Sequence, residues 1–262
     1  MGVLQDRVAI VTGGGRGIGR AIAERLAAEG ASVVVNDMDE GSAEEVARAL
    51  GGAAQVGSVA EPAVAEAAVA MAVQRFGGLD ILINNAGLTR DVTIGRMEDA
   101  DWNLVLDVCL RGTFNFTRAA VPALRQRFKD GATGHRKIVN IASVNGVYGV
   151  AGNANYSAAK AGIIGLSKAA ARELGRYRVN VNVIAPGYIA GTRLTSARDE
   201  ESRLGMDPEL IAKVEKSIPI GRSGRPEDIA GVTAFLCSPD SDYVTGQVLE
   251  VHGGREIIEV AG

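Results

Sequence analysis

Short runs of apolar, largely β-branched residues recur along the chain at Val8 to Val11, Val33 to Val35, Ile81 to Ile83, Ile138 to Ile141, Val179 to Ile184 and Val248 to Val251. These runs predict strands buried on both faces. A weaker run at Ala53 to Gly57 makes a seventh. Between most of these lie stretches rich in Ala, Leu, Glu and Arg, good helix formers: Ile18 to Glu29, Ser42 to Leu50, Pro62 to Phe76, Asp101 to Phe128 and Ala158 to Leu174.

Strand and helix alternating in this way can close their hydrogen bonds only as a parallel sheet, with right-handed crossovers placing helices on both faces. The expected fold is α/β: one doubly wound domain over residues 1–262, a seven-stranded parallel sheet between helical layers. The long fourth helix carries Gly112 and Pro122, and a proline inside a helix removes a donor, so a kink is expected there. The rhythm breaks at Gly187 to Arg225, which is polar and punctuated by glycine yet carries Leu194, Leu204, Leu210, Ile211 and Val214. That mixture predicts short helices forming a small substrate lid.

Hydrophobic residues make up 47% of the 262 and charged residues 23%, enough apolar mass for one buried core and too much for disorder. The formal net charge of −3, with no clustered basic stripe, gives no reason to expect nucleic acid as a partner. Cys109 and Cys237 are too few for a disulfide framework or a zinc site and fit a reducing compartment, so the expected location is the cytoplasm. No signal peptide or membrane anchor is expected; Asp6 stands where a myristoylation signal needs serine or threonine, and no apolar run approaches the ~20 residues that cross a bilayer. His135 and His252 lie at no metal-ligand spacing, so no metal site is expected.

The chemistry concentrates at strand ends. Thr12 to Gly19, with Gly13, Gly15, Arg16, Gly17, Ile18 and Gly19, follows the first strand and opens the first helix. Glycines there let the backbone approach a pyrophosphate, and the helix N-terminus presents free N–H groups to it. Asp37 ends the second strand, where a carboxylate can accept the adenosine ribose hydroxyls and repel a 2′-phosphate, which favours NAD over NADP. An ordinary turn-starting aspartate is the other reading of Asp37. Arg16 points the opposite way, since a guanidinium can pair with a 2′-phosphate. An unpaired carboxylate beside a phosphate dianion is the costlier of the two conflicts, so NAD is expected.

Tyr156 and Lys160 stand four apart on a predicted helix and so share a face. A phenol titrates near 10, and bringing it near 7 takes roughly 4 kcal/mol, within reach of a close ammonium in a partly dry cleft. Ser143 follows the fifth strand at the sheet edge where doubly wound folds bind ligands, and its hydroxyl can hydrogen-bond a substrate oxygen. The trio reads as acid/base, activator and orienter.

With Asn84 to Gly87 and Pro186-Gly187, these motifs make the sequence resemble the short-chain dehydrogenase/reductase family from Arg7 to Gly254, and in particular its 3-oxoacyl reductase-like members, whose C-terminal pattern Tyr243 to Gln247 is similar. The resemblance implies a Rossmann-type domain and catalysis by Ser143, Tyr156 and Lys160. It implies that Ser58, Val59, Asn85, Ala86 and Gly87 lie along the adenosine side of the cofactor. Pro186, Gly187 and Ile189 would border the nicotinamide, and Lys160 would also hold its ribose. It implies a homotetramer paired through the long helix and the Tyr156 helix. Three positions depart from the family pattern: Cys109 stands at a catalytic asparagine, Ser58-Val59 at an adenine-side aspartate, and Gly191 adds a residue before Thr192.

The expected function is hydride transfer between NAD(H) and a carbonyl or alcohol, the substrate being a 3-oxoacyl or 3-hydroxyacyl thioester or a cyclic or secondary alcohol. An NADPH-dependent 3-oxoacyl carrier-protein reductase and a non-catalytic dinucleotide-binding redox sensor are the alternatives. Arg125, Arg127, Lys129 and Arg172 offer either a basic rim for an acidic carrier or a CoA phosphate, or a solvated helix face.

Overall fold

A computed structural model describes residues 2–196 and 207–255. Seven strands form one sheet: β1 (Val8–Thr12), β2 (Ser32–Asp37), β3 (Ala53–Val56), β4 (Ile81–Asn84), β5 (Arg136–Ile141), β6 (Val179–Pro186) and β7 (Val248–Val251). They are ordered β3-β2-β1-β4-β5-β6-β7, and every pairing is parallel. The strand order reverses between β1 and β4, and the crevice at the carboxyl ends of those strands is where such sheets receive ligands.

The continuous apolar runs are explained by burial on two sides. Ala9 and Val11 pack into one core with α1 (Gly17–Ala28), α2 (Glu40–Ala49) and α9 (Pro226–Cys237). Their neighbours Val8 and Ile10 point to the other face, into a core with α3 (Pro62–Phe76), α5 (Gly112–Lys129) and α7 (Ala154–Leu174).

The long fourth helix departs from expectation. It is divided into α4 (Asp99–Leu106), a π-helical turn at Asp107–Arg111 and α5. The hydrogen-bond register changes at that turn, whereas α5 runs unbroken through Pro122. Gly112 begins α5 against the segment after β3: a Cβ there would stand 2.6 Å from Val59 Cγ2, so only glycine lets the helix approach so closely.

The short helix α6 (Val144–Tyr148) and the helix α9 were not expected. In the segment expected to form a lid, α8 (Pro208–Lys216) is a short helix of the kind anticipated, while Leu204 lies outside the described residues. An isolated parallel bridge joins Ile189 and Gly224, with Ala190 N–H donating to the Gly224 carbonyl at 2.9 Å and Gly224 N–H to the Tyr188 carbonyl at 3.1 Å. Among the described residues no helix is long and apolar enough to cross a membrane.

Candidate active site

One cleft of roughly 1870 Å³ runs along the carboxyl edge of the sheet. A single drug-sized ligand fills about 300–1,000 Å³, so this cleft has room for a cofactor and a substrate together. Its lining includes Gly13, Arg16, Gly17, Ile18, Gly19, Asp37, Ser58, Val59, Asn85, Ala86, Gly87, Ser143, Tyr156, Lys160, Pro186, Gly187 and Ile189. Residues named from separate motifs are thus brought to one place.

Gly15 is the exception. Its N–H donates to Asp37 Oδ2 at 3.0 Å, and a Cβ there would meet that oxygen at 2.9 Å. It acts by holding the aspartate that lines the cleft.

At the end of the cleft beside β1 and β2, Gly13 and Gly17 take φ of 60° and 53°, a left-handed backbone that favours glycine. A Cβ on Gly19 would lie 2.0 Å from the Gly13 carbonyl oxygen. The turn is fastened to β4: the Thr12 hydroxyl accepts the Asn85 and Ala86 N–H groups at 2.9 and 3.1 Å, and Asn85 Nδ2 donates to the Thr12 and Gly13 carbonyls. No side chain caps α1, so its first N–H groups face the cleft, the arrangement a pyrophosphate needs. The cradle therefore fits a dinucleotide.

Asp37 Oδ1 accepts the Asp39 N–H at 3.1 Å, leaving carboxylate lone pairs for further donors. Asp39, which the sequence reading missed, pairs with Arg16 at 3.0 Å. Hydrogen bonds from Ser42, with the guanidinium of Arg16 beside it, hold the Asp39 carboxyl down at about 2. The Arg16 charge is thus already engaged by an acid, with the Asp37 carboxylate close by in the same turn. Ser58 Oγ accepts the Ala60 N–H at 3.3 Å, and Val59 is buried against Gly112.

The residues expected to be catalytic come together where β5 gives way to α6 and α7. Ser143 caps α6, its Oγ accepting the Asn145 N–H at 3.2 Å. Tyr156 and Lys160 lie one turn apart in α7, both buried. Gly146 lets α6 press onto that turn, since a Cβ would stand 2.6 Å from Lys160 Cβ. Asn155 pins the start of α7 by donating to the Arg90 carbonyl at 3.1 Å while accepting the Tyr156 N–H at 2.7 Å. Beneath, Asn84 donates to Asn140 at 2.8 Å and Asn140 to Ser167 at 2.8 Å, a buried polar line joining β4, β5 and α7.

Lys160 Nζ donates to the Ile141 carbonyl at 2.7 Å and stands 5.4 Å from the centre of the Tyr156 ring. The expected lowering of the phenol is not found in the protein alone. Burial pushes Tyr156 above its ordinary value, with the charges of Cys109 and Asp91 acting the same way and the Ser143 hydroxyl opposing them. Burial also lowers Lys160, against the influence of Cys109. Both groups have been stripped of water, and for each the loss of hydration outweighs the neighbouring groups.

Cys109 is fully buried in the π-helical turn, and its thiol lies 3.5 Å from the Leu88 carbonyl. A Cβ on Gly87 would be 3.4 Å from Cys109 Sγ and 3.5 Å from Lys160 Nζ, so the thiol borders the lysine pocket.

Of the segment expected to form a lid, Leu194, Leu210 and Val214 line the remainder of the cleft, whereas Ile211 does not. Thr192, past the additional Gly191, also lines it and bonds hydroxyl to hydroxyl with Thr195 at 2.8 Å. Tyr188, Arg193 and Arg255 were not anticipated there. His135 meets Asn180 at 2.8 Å and His252 stands 3.5 Å from Glu250; among the described residues no three metal-ligating side chains cluster.

Comparison with known proteins agrees with this geometry. A family profile described as enoyl-(acyl carrier protein) reductase matches residues 13–256. The chain is 40% identical over 256 residues to the 3-oxoacyl-[acyl-carrier-protein] reductase FabG of Escherichia coli, covering 97% of this chain and 99% of that one. It is 44% identical over 259 residues to an uncharacterized oxidoreductase of Mycobacterium bovis, covering 97% and 99%. It is 43% identical over 261 residues to the short-chain reductase protein NovJ of Streptomyces niveus, covering 97% and 95%.

Proposed function

The chain belongs to the short-chain dehydrogenase/reductase family of nicotinamide-dependent oxidoreductases, and from that premise we propose that it moves a hydride between NAD(H) and the carbonyl or alcohol carbon of a 3-oxoacyl or 3-hydroxyacyl thioester. The observation that carries this reading is the convergence of Ser143, Tyr156 and Lys160 on the cleft that also holds the glycine turn and Asp37.

The N-terminus of α1 would hold the pyrophosphate, Asp37 the adenosine ribose, and Lys160 the nicotinamide ribose, with Pro186, Gly187 and Ile189 beside the ring. When bound, nicotinamide supplies or accepts the hydride. Burial keeps the Tyr156 phenol protonated at neutral pH, so its Oη gives a proton to the substrate oxygen as the carbonyl is reduced. The Ser143 hydroxyl donates a hydrogen bond to the same oxygen, polarising the carbonyl and fixing its direction. The Lys160 ammonium stabilises the phenolate that remains, and the reverse sequence oxidises the alcohol.

NAD is favoured by the two carboxylates at the ribose end, Asp37 and Asp39, and by the engagement of Arg16 with the latter. An NADPH-dependent carrier-protein reductase would need that pair broken. A redox sensor without chemistry has no use for a buried Tyr156–Lys160 pair. The chain acts in the cytoplasm as a homotetramer.

The test is a steady-state assay of NADH and NADPH separately against 3-oxoacyl thioester, cyclic ketone and ketone panels, with the alcohols in reverse. Turnover of an acyl thioester with NADH is expected. No turnover of any of these with either cofactor would overturn the enzymatic reading.

A further inference from the structure

The sheet edge opposite the cleft carries an imbalance of charge. Four adjacent strands begin there, β1, β4, β5 and β6, and each is entered through a charged residue: Arg7, Asp80, Arg136 and Arg178. Arg127, from the last turn of α5, joins them. Asp80 is buried, and its oxygens meet Arg7 at 3.5 Å, Arg127 at 3.0 Å and the Val8 N–H at 3.1 Å, a single carboxylate among several guanidinium groups. Lys137 does not relieve the excess and draws no acid from it, because it has its own partner in Asp242 at 2.7 Å.

Arg136 is 0% exposed yet has no carboxylate partner among the described residues. Its guanidinium donates to the carbonyls of Ala132 and Gly134. Its Nε, like that of Arg127, is buried without a hydrogen-bond partner among the described residues. Arg178 donates to the Thr133 carbonyl at 3.1 Å, and Arg7 to that of His135 at 3.3 Å, so one backbone loop is ringed by guanidinium groups. Carbonyl dipoles offset only part of such a charge, and an uncompensated buried cation is costly. Burial and the neighbouring charges of Arg7, Arg127 and Arg178 accordingly lower the Arg136 pKa, with Asp80 alone opposing them.

We propose that Arg7, Arg127, Arg136 and Arg178 form a binding site for a phosphate-type oxyanion, at the sheet edge opposite the cleft that holds Ser143, Tyr156 and Lys160. A dianion with several oxygens can meet more than one guanidinium fork at once and supply the missing counter-charge. Access is through the outer edges of Arg7 and Arg127, whose side chains remain 25% and 30% exposed, and through the exposed Arg178. The recognised group is phosphoryl, whether in the free ion or in a phosphate monoester.

The experiment is calorimetric titration of the NADH-saturated protein with inorganic phosphate, sodium chloride at equal ionic strength being the control. Saturating NADH keeps phosphate from the glycine turn. Binding of about one phosphate per chain is expected, weakened at least tenfold in Arg178→Asn. Asparagine suits this position because residue 178 has φ of 55°. A parallel titration with glycerol 3-phosphate, against glycerol, separates the sources: equal affinity assigns a phosphate monoester, and preference for inorganic phosphate assigns the free ion. No heat beyond the chloride control, or undiminished binding in both Arg178→Asn and Arg7→Gln, would overturn the proposal.

Discussion

The guanidinium of Arg16 is held 3.0 Å from the carboxylate of Asp39, which engages the charge that a 2′-phosphate would need. Two residues earlier, Asp37 lines the same end of the cleft. Wild-type protein is therefore expected to use NAD(H) with the higher kcat/KM, and the double change Asp37→Ser, Asp39→Ser to move the NADP/NAD ratio by tenfold or more. Steady-state kinetics with both coenzymes checks this, and a wild-type preference for NADP(H) would refute it.

Replacing Tyr156 by phenylalanine removes one hydroxyl from a fully formed pocket. The expected result is a fall in kcat of about 10²–10⁴-fold, the range for a lost general acid. NADH affinity, followed by nicotinamide fluorescence, should change little. Undiminished turnover would exclude the phenol as the proton donor.

Burial holds the Tyr156 phenol above its ordinary value, and that sets opposite pH profiles for the two directions. Carbonyl reduction needs the protonated phenol and should be level through neutral pH, falling only in alkali. Alcohol oxidation needs the phenolate and should rise with pH over the same range. Profiles of kcat/KM in both directions test the sign; oxidation fastest in acid would contradict it.

Cys109 borders the lysine pocket without a strong hydrogen bond, and an amide has donors and an acceptor that a thiol lacks. Cys109→Asn is expected to leave kcat unchanged or raise it. A loss beyond tenfold, in protein whose thermal transition is unshifted, would mean that the thiol has a role of its own.

On α5, Phe114 is 43% exposed and lies beneath the Arg118 guanidinium at 5.0 Å, an apolar surface fit for a twofold contact. Light scattering should find a tetramer, and Phe114→Glu a smaller species. A monomeric wild type at working concentration would refute the assembly.

The sheet was legible in the sequence because burial on both faces writes a strand as an apolar run, unbroken at Val8 to Val11. The cleft was legible because its chemistry sits at strand ends that short motifs mark. What escaped notice depends on contacts between distant segments. Gly15 belongs to the glycine motif, yet only the folded chain shows it turned toward Asp37. Asp39 gains its meaning from Arg16, 23 positions away. Gly112 and Pro122 both mark the long helix as a place to bend, but the register change falls at Asp107–Arg111, just ahead of the glycine, and leaves the proline turn intact. The helix α9, with Pro226 at its start, follows a polar segment whose length obscured the return of a helical pattern.

The bridge between Ile189 and Gly224 gives the segment between them a common root. Whatever its residues become, both of its ends leave and rejoin the scaffold at one place, so strands and cofactor cradle need not register the change. Such a segment is free to diversify as an exchangeable cassette, and a lineage could acquire new substrates there while the hydride chemistry below is inherited intact.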